Sequence, residues 1–294
     1  MPTTPAPIGS RFTGGEVALF GLLLIVDSLH FVFARALVPH FDSLVAATLV
    51  MGIATVEIAV YGLLTRGICW RALVRGLWFY AAVGFLVGAS TALGYTAVTY
   101  IDVGTASMLG KMSTLFSLLI GLWWLHERLN RTQILGGVLA LAGVLIITFQ
   151  PSDVLRAGSL LVVISTVMYA LHAALVKRYG QEIDFTTFFF GRLLCTTLTL
   201  LFFALGRPLA APPAPIWLLL LVAGTVDVVI SRTLYYLALR RLPMTLHAII
   251  LTLSPVATIG WARLLFDTFP QPQQLLGGLI VLGGVLLATL YRHR

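Results

Sequence analysis

Six ionisable residues sit inside long apolar runs of this chain: Asp27, Glu57, Lys111, Arg192, Asp227 and Arg232. In a helix surrounded by lipid each would cost about 2.5–3.5 kcal/mol at mid-depth on insertion scales, so each needs a partner or a task. Three are acids and three are bases, and mutual pairing is the plain structural expectation for part of the set. Glu57, Arg192 and Arg232 fall toward one end of their runs, where a structural charge cluster is expected. Asp27 and Asp227 fall near the middle, with Lys111 somewhat outside it.

Asp27 precedes His30 by three residues, nearly one helical turn, so the two share a face. Tyr169 and His172 repeat that spacing. A carboxylate near a histidine in a wet cavity can bind a proton or a substrate ammonium, whereas the alternative for each histidine is hydrogen-bonded packing. Lys111 can hold a substrate carboxylate or act as counter-ion to Asp227. His247 falls one turn from Leu251, the later position that matches Lys111. Trp78, Tyr80, Tyr95 and Tyr235 offer aromatic walls for a substrate, or else serve as packing residues and interfacial anchors. Pro255 has no amide hydrogen and is expected to kink its helix, a bending point for gating.

These side chains must be positioned by membrane helices. Hydrophobic residues make up 59% of the 294 positions and charged residues 10%, against roughly a quarter charged in a soluble domain. A soluble fold could not cover itself with so little polar surface. A span needs about 20 apolar residues. The runs give ten, near 16–37, 43–64, 74–100, 104–125, 132–149, 157–178, 185–205, 216–239, 244–265 and 273–291. A polar tail, 1–15, precedes them, and the first run is read as a retained helix, being too long for a signal-peptide core.

The net charge of +8 is spread in short basic runs between the spans, which is how topology is encoded, and nucleic-acid binding is not expected. On the side of the N-terminus lie Arg11, Arg66, Arg71, Arg75, Arg128, Arg131, Lys177, Arg178, Arg240, Arg241, Arg292 and Arg294. The other side holds Arg156 and Arg207, with Arg35 and Arg263 near helix ends. That excess places both termini in the cytoplasm of a cell inner-membrane protein. Cys69 and Cys195 are far apart and imply free thiols rather than a disulfide framework.

The two halves of the chain align with a shift of 140 to 142 residues. Tyr95 falls on Tyr235, Asp27 and His30 fall on Tyr169 and His172, and Arg35 falls on Lys177. Gln133-Ile134-Leu135-Gly136-Gly137-Val138 matches Gln274-Leu275-Leu276-Gly277-Gly278-Leu279. The repeats are expected at 16–149 and 150–294. Five spans per half is an odd number, so the second half enters from the opposite face and the repeats are inverted, an arrangement suited to alternating access. Gly136, Gly137, Gly143, Gly277, Gly278, Gly283 and Gly284 offer small faces for close helix approach. No Gly-x-Ser-x-Gly elbow, His-Glu-x-x-His pair or phosphate-binding glycine loop occurs, so no enzyme chemistry is indicated. Energy for transport would then come from an ion gradient or the substrate's own gradient.

The joint between the fourth and fifth spans, Leu122-Trp123-Trp124-Leu125-His126-Glu127-Arg128-Leu129 followed by Gln133 and Gly136-Gly137, resembles the drug/metabolite transporter superfamily, in its EamA-type branch of ten-helix exporters. The second copy departs from the pattern: Asp267 replaces the Glu and no Arg follows. Pro243 and Pro255 match the family's prolines, where the first copy has Val103 and Leu115. The resemblance implies an all-α basket of ten helices in two inverted five-helix repeats. The first, third, fourth, sixth, eighth and ninth helices would line a central cavity, with the fifth and tenth at the periphery. It implies a secondary exporter of amino acids or related small metabolites, with hydrophobic cations or drugs as the alternative cargo; the alternative from another class, apart from the resemblance, is an intramembrane enzyme or lipid-handling protein. Expected partners are a small-molecule substrate, the lipid bilayer and, as candidate coupling ion, the proton. The monomer is the candidate working unit, and no cofactor or metal is expected.

Overall fold

The computed structural model describes residues 14–65, 67–101, 103–110, 112–127, 129–148, 157–208, 213–266 and 272–290. Every regular element among them is helical. In the first half α1 (Gly14–Asp27) and α2 (His30–Leu37) form one broken span, and α3 (Ser43–Leu64) forms the second. A short α4 (Trp70–Arg75) leads into α5 (Leu77–Ala97), the third span. The fourth is broken into α6 (Val103–Gly110) and α7 (Ser113–Trp123), and α8 (Arg131–Thr148) is the fifth.

The second half repeats this order. It runs through α9 (Ala157–Tyr179), α10 (Phe185–Ala204), the continuous stretch of α11 (Ala214–Val222), a π-helical segment (Ala223–Ile230) and α12 (Ser231–Arg241), then the broken pair α13 (Met244–Leu251) and α14 (Ser254–Phe266), and α15 (Pro272–Leu290). Six of these stretches are long and apolar enough to cross a bilayer on their own: 18–37, 43–64, 77–97, 157–179, 185–204 and 214–241. The others, whole or as broken pairs, complete five segments per half. The fold is an all-α membrane protein with an internal repeat.

The repeat extends to individual hydrogen bonds. Asp42 and Asp184 are N-caps of α3 and α10, accepting from the amides of Leu44 and Thr187 at 3.0 Å each, and they lie 142 residues apart. Each satisfies a backbone donor that the helix start leaves open. Arg35 donates to the Val98 carbonyl at the end of α5 (3.0 Å), and Lys177 donates to the Leu239 carbonyl in the last turn of α12 (2.8 Å). Both place a cation on the negative end of the third span in their own half.

The packing is related by the same exchange of halves. Thr55 on α3 and Thr197 on α10, equivalent residues, meet hydroxyl to hydroxyl at 2.8 Å. On α8 and α15, Gly136 faces Gly284 while Gly143 faces Gly277. Each contact is the repeat image of the other, as in an isologous interface. These glycines are small because they must be: a Cβ on Gly136 would stand 2.5 Å from the Gly284 carbonyl, and one on Gly143 would stand 2.7 Å from the Gly277 carbonyl. Gly278 and Gly283 have nothing within 4 Å of a built Cβ, so they take no part in this close approach. Gly137 instead packs toward Leu118 and Ile249. α8 and α15 thus pair with one another, away from the cavity.

The breaks differ from simple proline kinks. The ninth span interrupts at Thr252 and Leu253, and Pro255 falls in the first turn of α14. The fourth span interrupts at the matching depth with Leu115 where the ninth has Pro255. The interruption therefore belongs to the repeat, and Pro255 accompanies it in one copy only.

Candidate functional site

The break in the first span sets the position of Asp27 and His30, which end α1 and begin α2. Backbone groups released at such a break must be satisfied inside the protein. Here α14 supplies the partners: Thr258 Oγ1 donates to the Ser28 carbonyl (3.0 Å) and Trp261 Nε1 donates to Ser28 Oγ (2.8 Å). The Ser28 hydroxyl in turn donates to the Ile25 carbonyl (2.6 Å). The matching stretch of the sixth span, Tyr169 to His172, is unbroken helix.

The eighth span contributes Asp227 and Arg232. They are five residues apart, which in an α-helix would put them about 140° apart around the axis. The π-helical segment Ala223–Ile230 carries i→i+5 hydrogen bonds, which bring residues five apart toward one face. Arg232 Nη2 thereby reaches Asp227 Oδ1 at 3.5 Å. Its Nη1 lies 3.2 Å from Asp27 Oδ1 and donates to Tyr169 Oη at 2.8 Å. His30 Nδ1 lies 2.8 Å from Asp227 Oδ2, and which atom carries the proton depends on the tautomer and on ionisation. Asp227 is only 1% exposed. Two carboxylates from different halves therefore share one guanidinium, with an imidazole closing the network.

This network borders a central cavity of about 120 Å³. It is lined mainly from the first, third, fourth, sixth, eighth and ninth spans, with Met51 and Arg192 entering from the second and seventh. The fifth and tenth spans contribute nothing to it among the described residues. Asp27, His30, Tyr169, Asp227, Tyr235 and His247 all face it. His247 stacks edge-on against Tyr235, with centroids 4.6 Å apart.

Other expected site residues lie elsewhere. His172 is fully buried behind the cavity wall, with Nε2 3.1 Å from Tyr236 Oη and its ring 4.4 Å from that of Tyr169. Tyr95 is buried beside His30 at 6.2 Å, the repeat image of Tyr235 beside His172 at the same separation. Trp78 is 59% exposed at the start of α5 and packs edge-on to Phe79 and Tyr179. It is no wall of the cavity, and its place suits an interfacial anchor. Lys111, like Asp267 and Arg128 of the joint motifs, lies outside the described residues.

The expected cluster of Glu57, Arg192 and Arg232 does not form. Glu57 accepts from Thr225 Oγ1 at 2.7 Å, and Arg232 belongs to the cavity network. Arg192 is 1% exposed on α10, between the rings of Phe189 (5.8 Å) and Tyr236 (5.3 Å). Its Nε and Nη1 have no hydrogen-bond partner among the described residues. Desolvated cation–π contacts are worth about 2 kcal/mol, less than the several kcal/mol that burying an ion costs.

Sequence reasoning also passed over the hydroxyls of the wall, Ser90, Ser107, Thr114, Ser117 and Ser165 among them. Their only signal was Ser and Thr recurring in spans otherwise apolar. Several are spent on the frame: Ser90 Oγ donates to the Ser165 carbonyl (2.9 Å), and Thr114 Oγ1 to the Ala248 carbonyl (3.3 Å). The Glu127 of the fourth-span corner is structural too. Its Oε1 accepts from the amide of Met244, the first residue of α13, at 2.6 Å, tying the end of one cavity helix to the start of another.

The EamA-like transporter family model matches residues 15–149 and again 156–290. This chain belongs to the EamA-like transporter family. Two separate matches, one on each half, agree with the repeat seen in the hydrogen bonds and glycine contacts. Among similar proteins are uncharacterized transporters of Synechocystis (21% identical, covering 74% of this chain and 67% of that one), of Archaeoglobus fulgidus (25%, covering 79% and 84%) and of Bacillus subtilis (28%, covering 65% and 63%). A solved crystal structure superimposes with a TM-score of 0.77 over 97% of this chain and all of its own, at 21% identity, which speaks for the fold alone. EamA-like membership makes the chain a multi-pass membrane transporter, a class of protein that takes a small-molecule substrate within the bilayer.

Proposed function

We propose that the protein is a secondary active transporter that exports amino acids or related small metabolites across the inner membrane by alternating access. In this reading 16–149 and 150–294 are the two inverted repeat units, both termini are cytoplasmic, the monomer is the working unit and protons are the coupling ion. The observation that carries it is the mixed charge of the cavity: Asp27 and Asp227 set against Arg232, with His30 on Asp227. Such a site suits a zwitterion, which brings one charge of each sign and leaves the net charge of the cavity unchanged. His30 and the two carboxylates are the groups that would take up and release a proton.

The same pairing weighs against hydrophobic cations or drugs as cargo. A lone cation would add its charge to those of Arg192 and Arg232 on the wall, whereas a zwitterion brings a carboxylate with its ammonium. Size points the same way. The cavity of about 120 Å³ is well below the roughly 300–1,000 Å³ of pockets for drug-sized ligands.

The test uses purified protein in liposomes, offered amino acids, bases and organic cations with and without a pH gradient. Gradient-dependent or exchange flux of amino acids is expected, with little for organic cations. No flux across the panel would overturn the reading. Asp27→Asn is expected to abolish or uncouple transport in protein that remains folded, and wild-type rates from that variant would remove Asp27 from the mechanism.

A further inference from the structure

Among the described residues Arg192 has no acidic partner in the membrane interior. Asp27 and Asp227 are engaged by Arg232, Asp227 also by His30, and Glu57 by Thr225. Arg192 borders the same cavity from α10 and makes no hydrogen bond or ion pair through Nε or Nη1 with any described residue. The rings of Phe189 and Tyr236 flank the guanidinium without neutralising its charge.

Helix packing does not call for a cation at this position. The residue 142 positions earlier, its equivalent on α3, is Val50, which is just as buried. The same place in the other half of the fold is thus filled by an aliphatic side chain. Arg192 therefore replaces an apolar packing residue with a fixed, buried charge that borders the cavity.

From this we infer that Arg192 is the binding site for the carboxylate of the transported molecule. A planar guanidinium with unengaged N–H groups matches a carboxylate in shape and charge, and in a buried site of low dielectric that match is worth more than in water. Arg232 is committed elsewhere: its Nη1 donates to Asp27 and Tyr169, and its Nη2 is ion-paired with Asp227 at 3.5 Å. The wall then has two ends: Arg192 for a carboxylate, and the acids about Arg232 for an ammonium. The inference rests on the cavity being the substrate site proposed above, and it names the group that selects the substrate.

The experiment measures thermal unfolding of the full chain in lipid nanodiscs with L-alanine, L-serine and L-leucine, each against its amide at matched chloride. The amino acids are expected to raise the melting temperature saturably and the amides to leave it unchanged. Arg192→Met is expected to weaken the apparent affinity at least tenfold. Arg192→Lys, which keeps the charge but loses the fork, is expected to fall between. Amides that stabilise the wild type as well as the acids do, no response to any acid, or an unaltered response in Arg192→Met would each overturn the site. The wild-type comparison decides even where the Met variant does not fold. Exchange of labelled amino acid in liposomes separates this from the transport reading. Arg192-dependent binding without flux would overturn transport alone, whereas flux undiminished in Arg192→Met would overturn the carboxylate site alone.

Discussion

Arg232 is the pivot of the cavity because it answers two carboxylates that come from different halves of the chain. Removing one partner from a buried ion pair costs about 3–5 kcal/mol, since the charge left behind is neither solvated nor paired. Arg232→Met would take the shared guanidinium from two neighbouring acids, Asp27 and Asp227, so its melting temperature should fall well below that of wild type. Adding Asp27→Asn removes one of the two acids that Arg232 answered, and the double variant should recover part of the loss. A double variant no more stable than Arg232→Met would mean that Asp27 is not coupled to Arg232. The sequence located this arginine by depth and grouped it with Glu57 and Arg192. Depth follows from counting residues along a span, but the face a residue presents depends on helical pitch. The π-helical segment before Arg232 changes that pitch, and nothing in Ala223-Gly224-Thr225-Val226-Asp227 announces it. Asp27, His30, Tyr169, Asp227, Tyr235 and His247 were legible as cavity residues because polar side chains in apolar runs are conspicuous whatever the local pitch.

At the scale of the helix, adjacent glycines have opposite roles. Gly283 has open space where its Cβ would stand, whereas a Cβ on Gly284 would meet the Ala140 backbone and stand 2.6 Å from the Gly136 carbonyl. Gly283→Ala should be neutral or slightly stabilising, since alanine is favoured over glycine in a helix by roughly 1 kcal/mol. Gly284→Ala should destabilise by about 1–3 kcal/mol, the usual cost of overpacking, because the contact is with backbone rather than a movable side chain. Thermal unfolding of the two variants checks this, and equal effects would mean that α8 and α15 do not meet along this face. The paired Gly-Gly motifs in the sequence signalled close approach but not which glycine of each pair makes it, since neighbours on a helix point in different directions. Most helix ends were readable for a similar local reason: Asp42 and Asp184 are capping residues by type, and α3 and α10 begin directly after them. The breaks in the first and fourth spans were not. The first is held open by Thr258 and Trp261 from α14, a tertiary cause with no trace in Asp27-Ser28-Leu29-His30.

Across the whole molecule the two halves agree in frame and differ in charge. The caps, the Thr55–Thr197 contact and the glycine pairs obey the repeat, whereas Asp227, Arg232 and Arg192 fall on Val87, Ala92 and Val50. For the proposed alternating access, a symmetric frame would let each half adopt the shape of the other and so move the opening across the membrane. In the alternating access proposed above, an asymmetric set of charges would present the same side chains to the substrate in both states. Alternating access of this kind requires the halves to enter the membrane from opposite faces, and that can be tested with one native and one introduced thiol. The connection bearing Cys69 lies on the side of the N-terminus by the count of spans, and Cys69 is exposed. Arg207 follows α10 on the opposite side, where it pairs with Asp42 at 3.3 Å and remains half exposed. With Cys195→Ala to remove the other native thiol, a membrane-impermeant maleimide should label Arg207→Cys in intact cells and label Cys69 only after the membrane is opened. The reverse pattern would turn the molecule over and place the basic side outside, against the bias of its Lys and Arg. Labelling of both sites from one side would put an even number of crossings between them, and the inverted arrangement would fail with it.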